Sequence, residues 1–308
     1  MGTTGKFQDP QWTLAGAPRA SVRLSALRTL WVNTGTLCNI TCTGCYIESS
    51  PRNDRLVWFP PEDLVVCLTQ AAGAGKPLEE IGFTGGEPFM HPQIIHLLRM
   101  ALETGCRVLV LTNAMKPLHH HLAAVTVLAK QYAGQLTLRV SLDHYTQAGH
   151  EAVRGPGSWQ PAVWGLTGLA KAGVRLALAC RMPAGETETQ VRSGFAALCQ
   201  QMGIPLDVQD RRALVLFPEM DETQPVPEIS TACWDLLGKS PDQMMCASSR
   251  MVVRRRGAGH LSVIACTLLP YDPRFDLGPS LTDAAADVPL NHPHCAKFCV
   301  LGGAACSG

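Results

Sequence analysis

Short apolar runs ending in small polar residues return along this chain every thirty to forty residues or so. The runs TLWVNTG (29–35), EEIGFTGG (79–86), RVLVLTNA (107–114), QLTLRVSLD (135–143), VRLALAC (174–180) and DVQDRRALVLF (207–217) read as strands. Helical signatures lie between them. PPEDLVVCLTQAAGAG (60–75) opens on Pro and acid and closes on Gly, and HPQIIHLLRMALETG (91–105) puts Ile94, Ile95, Leu98 and Leu102 on one face. HLAAVTVLAKQYAG (121–134), SWQPAVWGLTGLAKAG (158–173) and ETETQVRSGFAALCQQMG (186–203) follow. Strands alternating with helices imply right-handed crossovers and a parallel sheet. Six such units fall short of the eight that close a barrel. The expected fold is therefore α/β: a partial (βα)6 TIM-type barrel over residues 26–217, preceded by an irregular arm over 1–25.

Past Phe217 the texture changes. PEMDETQPVPE (218–228) reads as a linker and STACWDLLG as a short helix. MVVRRRGAGHLSVIAC (251–266) reads as a hairpin, with Arg254, Arg255 and Arg256 on a solvated edge. HPHCAKFCVLGGAACSG ends the chain as a cysteine-dense loop. Residues 218–308 are thus expected to form a linker and a small hairpin-plus-loop domain.

Composition narrows the class. A net charge of +1 gives no bulk argument for nucleic acid or an anionic membrane. No run reaches the roughly 18 apolar residues of a membrane span, and MGTTGKFQDPQW lacks a secretory h-region, so a cytoplasmic protein is expected. Thirteen cysteines without a secretory signal then point to metal or redox use rather than to disulfides. Cys67, Cys106, Cys180, Cys199 and Cys233 are dispersed and read as small buried hydrophobes.

The others gather in two places. Cys38, Cys42 and Cys45, in CNITCTGCY, follow the first strand with C-x3-C-x2-C spacing and no fourth ligand nearby. Three thiolates can hold three irons of a [4Fe–4S] cube and leave the fourth open, as a catalytic zinc keeps one position for its substrate. A small molecule carrying an amine and a carboxylate could fill it. The other polar residues of interest also sit at strand ends. They are Gly85, Gly86 and Glu87 after the second strand, Thr112 and Asn113 after the third, and Ser141 and Asp143 after the fourth. In a parallel barrel these ends share one mouth. The glycines would let backbone approach a ligand, Glu87 could accept from an ammonium, and Thr112, Asn113 and Ser141 suit a ribose. Arg154, in EAVRGPGSW, could pair a carboxylate.

In this order, the cysteine triplet, GGEP, TNA, SLD and RGPGSW resemble the radical S-adenosylmethionine (radical SAM) superfamily over about residues 30–205. The resemblance implies a [4Fe–4S] cluster on Cys38, Cys42 and Cys45 that binds S-adenosylmethionine by its methionine amine and carboxylate. It implies reductive cleavage to a 5′-deoxyadenosyl radical that takes hydrogen from a substrate. Gly85, Gly86 and Glu87 would meet the methionine amine, with Ser141 and Arg154 behind them on ribose or carboxylate. A low-potential donor such as flavodoxin or ferredoxin would supply the electron. One departure stands out: where the family often has an aromatic before the third cysteine, this chain has Gly44, and Tyr46 follows instead.

The C-terminal cysteines resemble a twitch or SPASM-type auxiliary-cluster domain. Cys246 and Cys266 flank the hairpin, and Cys295, Cys299 and Cys306 close the chain. They suit a second [4Fe–4S] cluster on Cys246, Cys266, Cys295 and Cys299, with Cys306 as the substitute. Structural zinc would be satisfied by the same four thiolates. The run His119, His120 and His121 reads as solvated residues at a helix start, and His292 and His294 as loop polarity rather than ligands. With 37 residues before Cys38, a small-molecule substrate is expected, oxidised in a dehydrogenase-type reaction. A peptide-modifying maturase and a non-catalytic electron carrier are the alternatives. No general base is legible.

Overall fold

The computed structural model describes residues 5–73, 78–218 and 225–303. Six strands alternate with helices: β1 (Thr29–Asn33), α1 (Pro61–Gly73), β2 (Glu80–Thr84), α2 (Ile94–Glu103), β3 (Arg107–Thr112), α3 (Lys116–Gln131), β4 (Leu136–Ser141), α4 (Gln147–Arg154), α5 (Trp159–Lys171), β5 (Arg175–Arg181), α6 (Glu188–Met202) and β6 (Leu214–Phe217). Two more strands, β7 (Ser249–Arg254) and β8 (Leu261–Ile264), form the hairpin. All eight lie in one sheet, in the order β6-β5-β4-β3-β2-β1-β7-β8. Only the β7–β8 pair is antiparallel. The sheet is not closed, because β6 and β8 end it without pairing with each other, so the barrel is partial, as the strand count requires.

The hairpin is not set apart from the barrel. β7 pairs in parallel with β1, with Thr29 opposite Ser249 and Val32 opposite Val252. The reason lies in the alternation of its side chains. Val252 joins the core under the helices with Leu30, Val32, Ile81, Phe83, Val108 and Val110. Met251 and Val253 join a second core with Trp31, Leu109 and Ile264. A strand apolar on both faces belongs inside a sheet rather than at a solvated end. The C-terminal segments, including Phe275, Leu290 and Phe298, complete this second core.

Local chemistry sets the boundaries. Thr187 and Gln190 form a reciprocal capping box at the start of α6, and Gly203 ends it in the left-handed conformation at φ 64°. β6 is shorter than its sequence run, because 207–213 coil into turns. α3 starts earlier than expected, with Pro117 in its first turn. α4 was not anticipated: only His150 of its residues is buried, so it has no apolar stripe. The arm runs back along the chain's far end, where Ser21 and Val22 pair antiparallel with Pro289 and Val288.

The basic run is braced by ion pairs, with Arg254 and Arg255 half-buried and Arg256 exposed as expected. Arg254 meets Asp63 at 3.1 Å, Arg255 meets Asp276 at 3.0 Å, and Arg256 meets Asp54 at 2.8 Å. His119 is likewise a strut: its Nε2 lies 3.0 Å from the Pro161 carbonyl, and its ring lies 3.9 Å from that of Trp164. Cys67, Cys106, Cys180 and Cys199 are buried as expected, whereas Cys233 is only half-buried.

Candidate active site

The loops after β1 to β5 meet at one mouth, at the C-terminal ends of the strands. The cavity there is lined by Cys38, Cys42 and Cys45 from the first loop and by Gly85 and Gly86 from the second. Thr112, Asn113, Ser141, Asp143, Arg154 and Arg181 complete its polar wall, with Tyr46 and Phe217 among its apolar residues. The sequence thus brings its proposed cofactor residues to one place, Glu87 excepted.

Glu87 is buried behind the wall. Its carboxylate accepts from Asn113 N at 2.8 Å, Thr112 Oγ1 at 2.9 Å and Phe89 N at 3.1 Å. Burial pushes its carboxyl up to about 7, against the pull of those three donors. A carboxylate occupied this way staples the loop after β2 to the loop after β3; an incoming ammonium is not where its contacts lie. Gly86 also serves packing. A Cβ there would fall 2.1 Å from the Leu37 carbonyl oxygen, and one on Gly85 would fall 2.5 Å from the Gly35 oxygen. The two glycines bring the second loop against the first, and their close approach is to the chain itself.

Asn113 faces the first cysteine. Its Nδ2 lies 3.8 Å from Cys38 Sγ and donates to Asn39 Oδ1 at 2.9 Å, while its Oδ1 accepts from Met115 N at 3.0 Å. Thr112 Oγ1 accepts from Ala114 N at 3.0 Å besides donating to Glu87, so its hydroxyl is used within the loop. Ser141 stands half-buried at the end of β4 and lines the cavity.

Asp143 organises the opposite wall. It accepts from Arg154 Nε at 2.7 Å and from Arg181 Nη2 at 3.3 Å. Burial alone would raise its carboxyl; the two guanidiniums overcome that and hold it at about 2. Held by Nε, Arg154 turns Nη1 to within 3.9 Å of Cys42 Sγ. Arg181 reaches further and donates from Nη1 to the Thr43 carbonyl at 2.7 Å. Sequence reasoning missed Arg181, although a basic residue at the end of a barrel strand was the available signal. Arg181 also explains Gly44. That residue sits at φ 65°, and a Cβ there would come 3.1 Å from Arg181 Nη1. The left-handed backbone at the position before the third cysteine disfavours an aromatic there.

These residues suit an iron–sulfur cube. Three thiols face one cavity, and nitrogen donors approach two of their sulfurs. Burial pushes Cys38 up to about 12 and raises Cys42 against the opposing charge of Arg154, so an apo thiolate is disfavoured here until something cationic binds it. Among the described residues, no three His, Cys, Asp or Glu side chains converge on one ion-sized position.

At the other end, Cys246 and Cys295 are buried in the second core, with Cys266 and Cys299 packed against it. Burial pushes Cys246 up to about 11 and Cys295 up to about 12, and the charge of Cys246 adds to the rise at Cys295. His292 and His294 stack edge to face at 4.6 Å just before Cys295. Cys306 lies outside the described residues.

Known proteins give the same picture. Over 67 residues the chain is 36% identical to a GTP 3′,8-cyclase of Chlorobaculum tepidum, covering 22% of this chain and 19% of that protein. Over 139 residues it is 27% identical to an AdoMet-dependent heme synthase of Methanosarcina barkeri, covering 44% and 37%. The chain thus spans well under half the length of these curated relatives. Its fold is that of SuiB from Streptococcus suis, solved bound to its precursor peptide SuiA, with a TM-score of 0.59 at 14% identity over 87% of this chain and 66% of that one. The sequence profile of the radical SAM superfamily matches residues 32–192. With more than half its length matched and the cysteine loop at the barrel mouth, the chain belongs to the radical SAM superfamily.

Proposed function

We propose that this chain cleaves S-adenosylmethionine reductively at a [4Fe–4S] cluster held by Cys38, Cys42 and Cys45, and uses the radical to take hydrogen from a small organic substrate. The observation that carries this reading is the shared cavity. The three cysteines open onto the same space as Ser141, Asn113 and the Asp143–Arg154–Arg181 group. When bound, the cluster and S-adenosylmethionine supply one-electron cleavage of the sulfonium to methionine and a 5′-deoxyadenosyl radical.

The chain's own residues do the positioning. Asp143 neutralises the two guanidiniums enough to bury them and fixes their direction. Arg154 then offers a cation beside Cys42, where the carboxylate of a bound amino acid would rest. Arg181 ties the backbone between Cys42 and Cys45 to β5, so the cysteine spacing is set before metal arrives. Glu87 and Thr112 hold the neighbouring loops in register. Asn113 directs an amide N–H toward Cys38 and leaves that sulfur a neutral neighbour.

Cys246, Cys266, Cys295 and Cys299 are read as holding a second [4Fe–4S] cluster, and the proposed reaction is an oxidation in which that cluster accepts the substrate's surplus electron; direct binding of substrate is its other reading. Their clustering around one apolar core supports this. A flavodoxin or ferredoxin is the proposed donor of the first electron.

The test is product formation. Anaerobically reconstituted protein, S-adenosylmethionine and dithionite should yield 5′-deoxyadenosine and methionine, and Cys42→Ala should yield neither. Iron-loaded wild-type protein that makes no 5′-deoxyadenosine would sink the reading. A peptide rather than a small molecule as substrate would show as deuterium transferred into 5′-deoxyadenosine from a labelled peptide.

A further inference from the structure

A second cavity, of about 510 Å³, lies at the end of the barrel opposite the mouth, and the two share no lining residue. It sits between the chain entering β1, the last turn of α1, the start of β7 and the segment around Leu281. Ser25, Thr282 and Ala285 stand exposed at its rim, while Ala71, Leu281 and Arg250 are buried in its wall. The wall is braced. Gln70 Oε1 accepts from Leu281 N at 2.9 Å, and Arg250 Nε donates to the Ala284 carbonyl at 2.9 Å. The volume falls within the roughly 300–1,000 Å³ of small-molecule sites.

Arg250 supplies the charge of this cavity. It is 1% exposed and stands opposite Leu30 of β1. It shares the face of β7 that carries Val252 into the core under the helices. Its Nη1 donates to the carbonyls of Cys246 at 2.6 Å and Ser249 at 2.8 Å. With Nε engaged as well, the donors left over are those of Nη2, which is buried with no hydrogen-bond partner among the described residues. Arg154 and Arg181 share Asp143, and Arg19 has Glu228 at 2.5 Å. Among the described residues, no carboxylate pairs with Arg250.

The carbonyls around Arg250 offer dipoles and no counter-charge. A buried cation placed so gains most from an anion that brings its own acceptors. The rest of the wall decides which anion. Leu24, Leu27, Ala71 and Leu281 present apolar surface, and Arg250 is the single ionisable side chain among the described lining residues. One cation balances one negative charge. A phosphate dianion would carry its second charge unpaired into apolar surroundings. A carboxylate on an apolar body matches both the cation and the wall.

We propose that this cavity binds a monocarboxylate with an apolar body, its carboxylate on Arg250 Nη2 and its body against Leu24, Leu27 and Leu281. A molecule held here, at the far end of the barrel, is an accessory ligand and not the substrate, whichever cysteines carry iron.

The experiment uses the full chain, anaerobically reconstituted, and isothermal titration. The probes are 3-phenylpropionate, its neutral amide 3-phenylpropanamide, and inorganic phosphate. One 3-phenylpropionate per chain is expected, with the amide and phosphate weaker by about tenfold or more. Ala285→Trp fills the rim from an exposed position and leaves Arg250 in place; it should remove the binding with Tm unchanged. Arg250→Gln should weaken the acid by about tenfold or more and leave the amide where it was. Should that variant fail to fold, Ala285→Trp and the comparison of acid with amide still decide. Arg154→Ala should bind the acid as the parent does, which separates this cavity from the mouth. No saturable binding of the acid to wild type, equal affinity for acid and amide, or binding undiminished in Ala285→Trp overturns the proposal. Binding lost in Arg154→Ala overturns it by assigning the acid to the mouth, and phosphate held as tightly as the acid overturns the ligand class.

Discussion

The Tyr271 hydroxyl donates to the carbonyl of Ile47 at 2.9 Å, two residues beyond Cys45. The same hydroxyl accepts from Asn53 Nδ2 at 3.3 Å, and Arg55 lies 3.6 Å over the Tyr271 ring. A residue from the C-terminal region thus buttresses the loop that carries the first cysteine set. Tyr271→Phe removes both hydrogen bonds but keeps the ring under Arg55. The expected cost is about 1–2 kcal/mol, seen as a lower Tm of the purified protein, with faster loss of iron to a chelator. An unchanged release rate would show that the loop does not need this brace.

Asp143 gives a defined acid limb. Its carboxyl stands at about 2 in the fold against 3.8 for the ordinary group. A carboxyl lowered by folding stabilises the fold above its unfolded value, and that stability is lost as pH falls from near 3.8 through 2. The contribution is about 2 kcal/mol. Asp143→Asn should abolish this part of the slope in urea midpoints taken between pH 4.5 and pH 2 or so. At neutral pH it should also cost roughly 3 kcal/mol, because two arginines lose their shared counter-charge. Parallel slopes for the two proteins would place the acid sensitivity elsewhere.

Arg181 and Arg154 share an anion but should fail differently. Arg181→Ala removes the donor to the Thr43 carbonyl and frees the chain between Cys42 and Cys45. Iron per chain should fall, and S-adenosylmethionine turnover with it. Arg154→Ala leaves that backbone tie in place; iron should stay near the parent value while the apparent affinity for S-adenosylmethionine weakens by tenfold or more, about 1.4 kcal/mol. Isothermal titration of the reconstituted proteins, with iron counted in the same samples, tests the contrast.

Gly86→Ala adds one methyl and should be among the most damaging small changes in the barrel. The new Cβ would stand 2.1 Å from a backbone oxygen, which no rotamer change can relieve. A loss of about 3 kcal/mol or more is expected, read as a depressed Tm or as insoluble protein. A stable, iron-loaded Gly86→Ala protein would show that the two loops can part.

Iron counts separate the two cysteine regions. About eight irons are expected in the wild type, and about four in either Cys38→Ala combined with Cys42→Ala or Cys246→Ala combined with Cys295→Ala. Four irons with bound zinc in the wild type would instead assign the C-terminal set to structural zinc.

Much of the barrel was legible because its strands are continuous apolar runs bounded by glycine and polar residues. The mouth was legible because parallel topology sends every strand's last residues to one side. α4 was not, because a helix whose only buried residue is His150 carries no apolar period. Its signals were its ends: Thr146, whose side chain accepts from Gly149 N, and Gly155 at φ 92°. The role of Glu87 was not legible either. Whether a carboxylate faces a cavity or turns back onto its own chain depends on loops remote in sequence, here at Asn113. The place of β7 needed the same long-range information. Its run Met251, Val252 and Val253 marks a strand covered on both faces, but which strand lies beside it is set by β1, remote in sequence.

Because β7 lies directly on β1 in parallel, Cys38, which follows β1, and Cys246, which precedes β7, lie toward opposite ends of one hydrogen-bonded ladder. Slipping that pairing by one residue would turn Met251 and Val253 to the wrong face, so the ladder has a single register. The span between Cys38, beyond one end of β1, and Cys246, just before β7, is therefore metered by a β-ladder and not by a hinge.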